Sequence, residues 1–306
     1  MVPQPRKARS DESGDYKTIT VNGAGLAYVE RGSGDAVILV HGSISDLRIW
    51  EKQMAPFSAS HRAIAYSRRY AWPNRIIPDG VDDRLWPHVD DLAELIRKLD
   101  AAPAHLVGNS RGGFICLLTA LRYPELVRSL AVEEPPVMPL LVTNQPKPRE
   151  IVKLLLTRPR SGGALLRFFG TTMGPAIKAF KKGDLEGGVQ IFARGVLGRD
   201  VYKSLPADVK EAMQANGKLL SAELLGEGFP AFSEGDARRI TVPTLLLTGE
   251  KSPPLLRGLT DRLHELLPNA QRVDIAGASH LMHYEQPSLV NAAVLQFIDN
   301  TPGLAR

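Results

Sequence analysis

The sequence predicts an α/β fold, a doubly wound and mainly parallel sheet carrying a helical insertion, and three observations lead there. Short, mostly apolar runs recur along the chain: "AVILVHG", "RAIAYS", "AHLVGNS", "VRSLAVE", "PTLLLTG" and "QRVDIAG". Segments of helical periodicity, such as "DDLAELIRKLD" and "GLTDRLHELLP", separate them. Strands apolar on both faces and alternating with helices make a sheet covered on both sides. Finally, roughly 100 residues between "VEEPP" and "RRITVP" break this rhythm with helical patches and no convincing strand.

Taken in order, residues 1–15 are polar and charged, with no apolar run of signal-peptide type after them, and read as a loose tail. "YKTITVNGAGLAYVER" alternates apolar and polar residues around Asn22-Gly23, which predicts an antiparallel hairpin. The α/β core is expected over residues 16–134 and 240–306. The insertion, 135–239, contains "REIVKLLLT", "ALLRFFG" and "DVKEAMQANGKLLSAELL". It should cover the sheet edge where strands end, the place where open α/β sheets bind ligands.

A chain of 306 residues that is 43% apolar can bury a substantial core. Its one cysteine, Cys116, excludes an intramolecular disulfide, and no cysteine and histidine spacing fits zinc. No apolar run reaches the ~18 residues of a membrane span. The net charge of +5 comes from basic residues in scattered pieces such as "RRY", "RPR" and "FKK", which read as solvated surface. A cytoplasmic protein with no nucleic-acid and no membrane partner is therefore expected; a homo-oligomer stays open.

The sharpest local signal is "HLVGNSRGG", in which Gly108, Ser110 and Gly112 satisfy G-x-S-x-G between an apolar strand and a helix, "GGFICLLTALRYP". A serine in such a strained turn needs glycines where a side chain would crowd the neighbouring elements. Here the chain resembles the α/β-hydrolase fold family, from Tyr16 to its C-terminus. The resemblance implies that Ser110 is a nucleophile and that two backbone N–H groups form an oxyanion hole. One is Ser43, after the His-Gly of "VILVHG", and the other is Arg111. His41 reads as a structural support of that turn. The resemblance assigns the base to His280 in "IAGASHLMHYEQP", over its neighbour His283.

The family's acid usually follows the penultimate strand, in a pattern like G-x-x-D. Aligned on Gly249, that position holds Ser252, which cannot carry the charge. Haloalkane dehalogenases and zearalenone lactonases keep the acid after the preceding strand instead. Glu134 lies there, 24 residues after Ser110 and just before Pro135 and Pro136. Adjacent carboxylates ending an apolar strand are costly unless paired. Glu134 is therefore the expected acid, with Glu133 and then Glu250 as alternatives.

What the resemblance implies is a serine esterase or lactonase working through an acyl-enzyme on a small-molecule ester or lactone, with no cofactor and no metal. The alternatives are a carbon–carbon bond hydrolase of β-diketone-type substrates and a non-hydrolytic ligand receptor. The apolar residues Leu165, Leu166, Phe168, Phe169, Phe180 and Phe192 suggest that the insertion selects a moderately hydrophobic substrate. Tyr70 and Trp72 are candidates for the pocket mouth or for packing, and Trp50 reads as core.

Overall fold

The computed structural model describes residues 16–301, so the expected tail at 1–15 lies outside the described residues. Eight strands form one sheet: β1 Lys17–Val21, β2 Ala24–Arg31, β3 Ala36–Val40, β4 Arg62–Tyr66, β5 Ala104–Asn109, β6 Val127–Glu133, β7 Thr244–Gly249 and β8 Ala270–Ile275. Their order is β1-β2-β4-β3-β5-β6-β7-β8. β1 and β2 form the hairpin read from Asn22-Gly23, whose φ angles of 45° and 76° suit the turn that tight hairpins favour. β2 also runs antiparallel to β4, and every later pairing is parallel.

The strand pattern divides the core by alternation. In "AVILV", Val37 and Leu39 face one layer with Trp50, Met54, Phe57, Val290 and Phe297. Ile38 and Val40 face the other, with Leu92, Phe114, Leu118, Leu259 and Leu263. The first layer is built from α1 Glu51–Ser58 and α14 Pro287–Asp299, and the second from α2 Leu85–Lys98, α3 Arg111–Arg122 and α12 Pro254–Leu266. A short helix, α13 Met282–Glu285, precedes α14.

Between β6 and β7 the chain forms no strand. It builds α4 Pro148–Thr157, α5 Pro159–Phe168, a π-helical turn Phe169–Met173, α6 Gly174–Lys181, α7 Leu185–Leu197, α8 Arg199–Ser204, α9 Ala207–Ala215, α10 Gly217–Leu225 and α11 Glu234–Arg239. The helical patch at 208–225 is two helices rather than one. It breaks at Asn216, which is buried and committed elsewhere: its Nδ2 donates to Asp46 at 2.9 Å and its Oδ1 accepts from the Trp72 amide at 2.9 Å. A side chain anchored to the core in this way holds the junction, which helical periodicity could not reveal.

The sheet order reverses at β3, where β4 lies on one side and β5 on the other. Val40 pairs in register with Gly108 there, so the turns that follow β3 and β5 emerge side by side.

Candidate active site

Ser110 occupies the turn from β5 into α3 with φ 51° and ψ −122°, a conformation costly for any residue with a side chain. The neighbouring glycines make it attainable. A Cβ on Gly108 would lie 2.7 Å from the Gly113 backbone, and one on Gly112 would lie 2.1 Å from the Val40 carbonyl oxygen. The Ser110 amide donates to the Glu133 carbonyl at 2.8 Å, pinning the turn to β6. Gly42 is needed for the approach of the β3 turn, because a Cβ there would meet Asn109 Oδ1 at 2.8 Å and Ser110 Cβ at 3.1 Å.

The two adjacent acids go to different histidines. Glu134, fully buried at φ 44°, places Oε2 2.7 Å from His280 Nδ1, while its Oε1 accepts the Gly249 amide at 3.0 Å. Glu133, equally buried, places Oε2 2.6 Å from His283 Nδ1. The Asn109 side-chain amide joins the two pairs, donating to Glu133 Oε2 at 3.0 Å and to the His280 carbonyl at 3.2 Å. His283 also lies against Trp50, ring centroids 4.4 Å apart, and Trp50 is core as read from the sequence.

Ser252 is buried in the turn after β7, where its amide donates to the Gly249 carbonyl at 3.1 Å. Among the described residues its hydroxyl has no partner, and the nearby Gly249 amide donates to Glu134. Glu250 is exposed and accepts the Gly277 amide at 2.7 Å, away from His280.

Ser43, Ser110 and His280 line one cavity of about 420 Å³. Its apolar wall includes Ile44, Ile49, Phe192, Val196, Leu197 and Met213, and its rim mixes Arg48 and Lys52 with Glu51 and Asp208. Of the six apolar insertion residues named from the sequence, Phe192 alone reaches this wall. Leu165, Phe168 and Phe180 are buried in the main core, and Leu166 and Phe169 face outward. Their composition was apolar, but helix rotation decided which face met the cavity. Tyr70 and Trp72 also lie off this wall: Tyr70 packs on Ala71, Ile77 and Leu219, and Trp72 stacks under Arg48, whose guanidinium carbon is 3.7 Å from its ring centroid.

Arg111 offers the first amide of α3, one of those with no acceptor inside the helix. Its side chain turns into a buried ionic network that composition did not reveal. Arg111 Nη2 donates to Asp83 Oδ2 at 2.9 Å, His88 Nε2 meets Asp83 Oδ1 at 2.8 Å, and Arg68 Nη2 donates to Glu223 at 3.0 Å. Arg111 Nε lies 3.3 Å from the same Glu223 oxygen. Burial alone would raise the Asp83 pKa, but His88 and Arg111 outweigh it and hold the carboxyl well below its usual range. The signal in the sequence was a lone glutamate inside the apolar "SAELL".

His41 supports the β3 turn as read. Its Nδ1 lies 2.8 Å from the Gly42 carbonyl and so donates, which leaves Nε2 to accept the Arg68 amide at 2.8 Å. Burial, reinforced by Arg68, pushes its pKa well down. Among the described residues, no group of three or more His, Cys, Asp or Glu side chains could hold a metal ion.

A strained serine turn between a parallel strand and a helix, an acid–histidine pair across the sheet and a helical insertion above them define a class. The alpha/beta hydrolase fold profile matches residues 35–287, and the chain belongs to that family. It is similar to an uncharacterized carboxylesterase of Bacillus subtilis (strain 168), 24% identical over 276 residues covering 88% of this chain and 81% of the relative. It is also similar to 2-(acetamidomethylene)succinate hydrolase of Mesorhizobium japonicum, 26% identical over 275 residues, covering 88% and 90%. Among solved structures, a thermophilic esterase from Thermogutta terrifontis shares the fold at a TM-score of 0.71 and 19% identity, covering 94% of this chain and 98% of that one.

Proposed function

We propose that the protein is a serine hydrolase of moderately hydrophobic carboxylic esters or lactones, working through an acyl-enzyme. The observation that carries this reading is the 2.7 Å contact between Glu134 and His280 Nδ1, in a histidine that shares a cavity with Ser110. A carboxylate on Nδ1 keeps that proton in place, so Nε2 is the nitrogen free to accept one. Ser110 attacks the carbonyl as His280 takes its proton, and the Ser43 and Arg111 amides stabilise the developing oxyanion. His280 then returns the proton to the leaving alcohol, and a water activated by the same nitrogen releases the acid. Glu134 balances the charge on the imidazolium throughout. The cavity size and its apolar wall suit a small hydrophobic acyl group, with the insertion as a cap over it.

A panel of p-nitrophenyl esters, lactones and a β-diketone ring-fission substrate tests this with three proteins. Ester or lactone turnover by the wild type is expected, with near-complete loss in Ser110→Ala. Glu134→Gln should lower kcat by on the order of 10³ to 10⁴, because the neutral amide neither holds the tautomer nor balances the charge. Turnover of the diketone alone would move the reaction to carbon–carbon cleavage. Retained activity in Ser110→Ala would overturn the nucleophile.

A further inference from the structure

The basic residues, read from the sequence as scattered surface, leave the net positive charge of this chain concentrated in one segment. Residues 147–182 hold nine lysines and arginines and one carboxylate, Glu150, a net of +8 in a chain whose total is +5; all other residues together therefore sum to −3. Eight of the nine cations are exposed. Among the described residues, Arg158 alone of the nine is ion-paired, with Glu265 at 3.2 Å. Glu150 is occupied at the start of α4, accepting from the Thr143 and Lys147 amides.

The same segment exposes large apolar side chains: Leu156 is 78% exposed, Val152 55%, Leu166 47% and Phe169 45%. Val152 and Leu156 are four residues apart on α4, and Leu166 and Phe169 are three apart where α5 passes into the π-helical turn, so each pair shares a helix face. The basic character continues into a broad adjoining groove of about 1790 Å³. Arg160, Arg167, Arg194, Arg199, Lys203 and Lys210 line it, with Asp200 its one acidic wall residue.

We propose that the basic, apolar-studded outer face of α4 to α6 docks on a bilayer containing anionic lipid. Exposed leucine and phenylalanine among unpaired cations match the two layers of such a surface, the acyl boundary and the headgroup phosphates. A symmetric dimer through this face would set one +8 segment against another, which opposes it. A nucleic acid would use the cations but leave Leu156 and Val152 in water. The groove and the candidate site share α7. Its Gln190, Ile191 and Arg194 line the groove, while Phe192, Val196 and Leu197 line the cavity with Ser110. α7 thus links the groove beside the proposed docking face to the cavity.

Sedimentation with vesicles tests the proposal without relying on catalysis. The wild type should pellet with phosphatidylglycerol–phosphatidylcholine vesicles and at least about tenfold less with phosphatidylcholine alone. Salt at about 0.5 M should release it, because exposed charges are then screened within a few Å. Arg160→Glu with Arg167→Glu should weaken binding by about tenfold or more, since each basic residue near such a surface contributes appreciably. Leu156→Ser should weaken it while leaving the salt dependence in place. Lys178→Glu with Lys181→Glu provides a second charge reversal should the first fail to fold, as judged by circular dichroism. Equal binding to both vesicle types, no binding, variants that bind like the wild type, or retention by DNA in place of anionic vesicles would each overturn the proposal. Ser110→Ala should bind vesicles like the wild type, so failure of the hydrolase reading and failure of docking are separately visible.

Discussion

Glu133 and Glu134 are chemically alike and adjacent, yet each has its own histidine. The chain turns at Glu134, where φ is 44°, so its carboxylate reaches His280 while Glu133, still in β6, reaches His283. Asn109 ties the second pair to the first through Glu133 Oε2 and the His280 carbonyl. Glu133→Gln keeps the shape but weakens charge-assisted bonds to His283 and Asn109, at a cost of about 1–3 kcal/mol. The expected outcome is a clear loss of stability in urea with a much smaller loss of kcat than Glu134→Gln. A Glu133→Gln enzyme as inactive as Glu134→Gln would reverse the assignment of the two acids. Both residues were legible as candidates, because two acids end the apolar strand β6 while the usual aspartate position, after β7, holds Ser252. Asn109 was not singled out, since one amide beside a serine carries no distinctive pattern.

Among the elements, α10 is the one whose sequence conceals its role. Glu223 sits in an apolar helix but is buried against Arg68 at 3.0 Å and Arg111 at 3.3 Å, joining the insertion to the turns after β4 and β5. Removing one member of a buried ionic group leaves the others uncompensated. Glu223→Ala should therefore cost about 3–5 kcal/mol, a drop measurable by urea unfolding. A double substitution, Glu223→Leu with Arg68→Met, should recover part of it. A cost under about 1 kcal/mol for the single variant would show that water relieves the arginines. The strands were the most legible elements, because their apolar runs reflect burial on both faces. The insertion helices were legible as helices but not in their rotation, which is set by packing against the rest of the molecule.

For the whole molecule, the buried histidines make stability depend on pH. Burial, helped by Arg128, pushes the His105 pKa down to about 4, and burial also lowers His41 and His88. An unfolded histidine titrates near 6.5. These groups therefore contribute stability that is fully present above about pH 6.5, and for His105 it is lost as pH falls toward about 4, because unfolding takes up protons over that window. His105 alone amounts to about 3 kcal/mol across it. Denaturant unfolding at a series of pH values should show this decline, and His105→Leu should flatten it by about one proton. An unchanged slope in that variant would place the proton uptake elsewhere. No helix among the described residues is long and apolar enough to cross a membrane.

Local pattern by itself determined the strand and helix sequence, the glycine-flanked serine turn and the shortlist of acids and histidines, because each depends on neighbours within a few residues. Tertiary structure decided which acid meets which histidine across 146 and 150 residues, which face of α7 lines the cavity, and which helices carry exposed charge. Those outcomes depend on how strands and helices approach one another in space. Spacing along the chain does not record that.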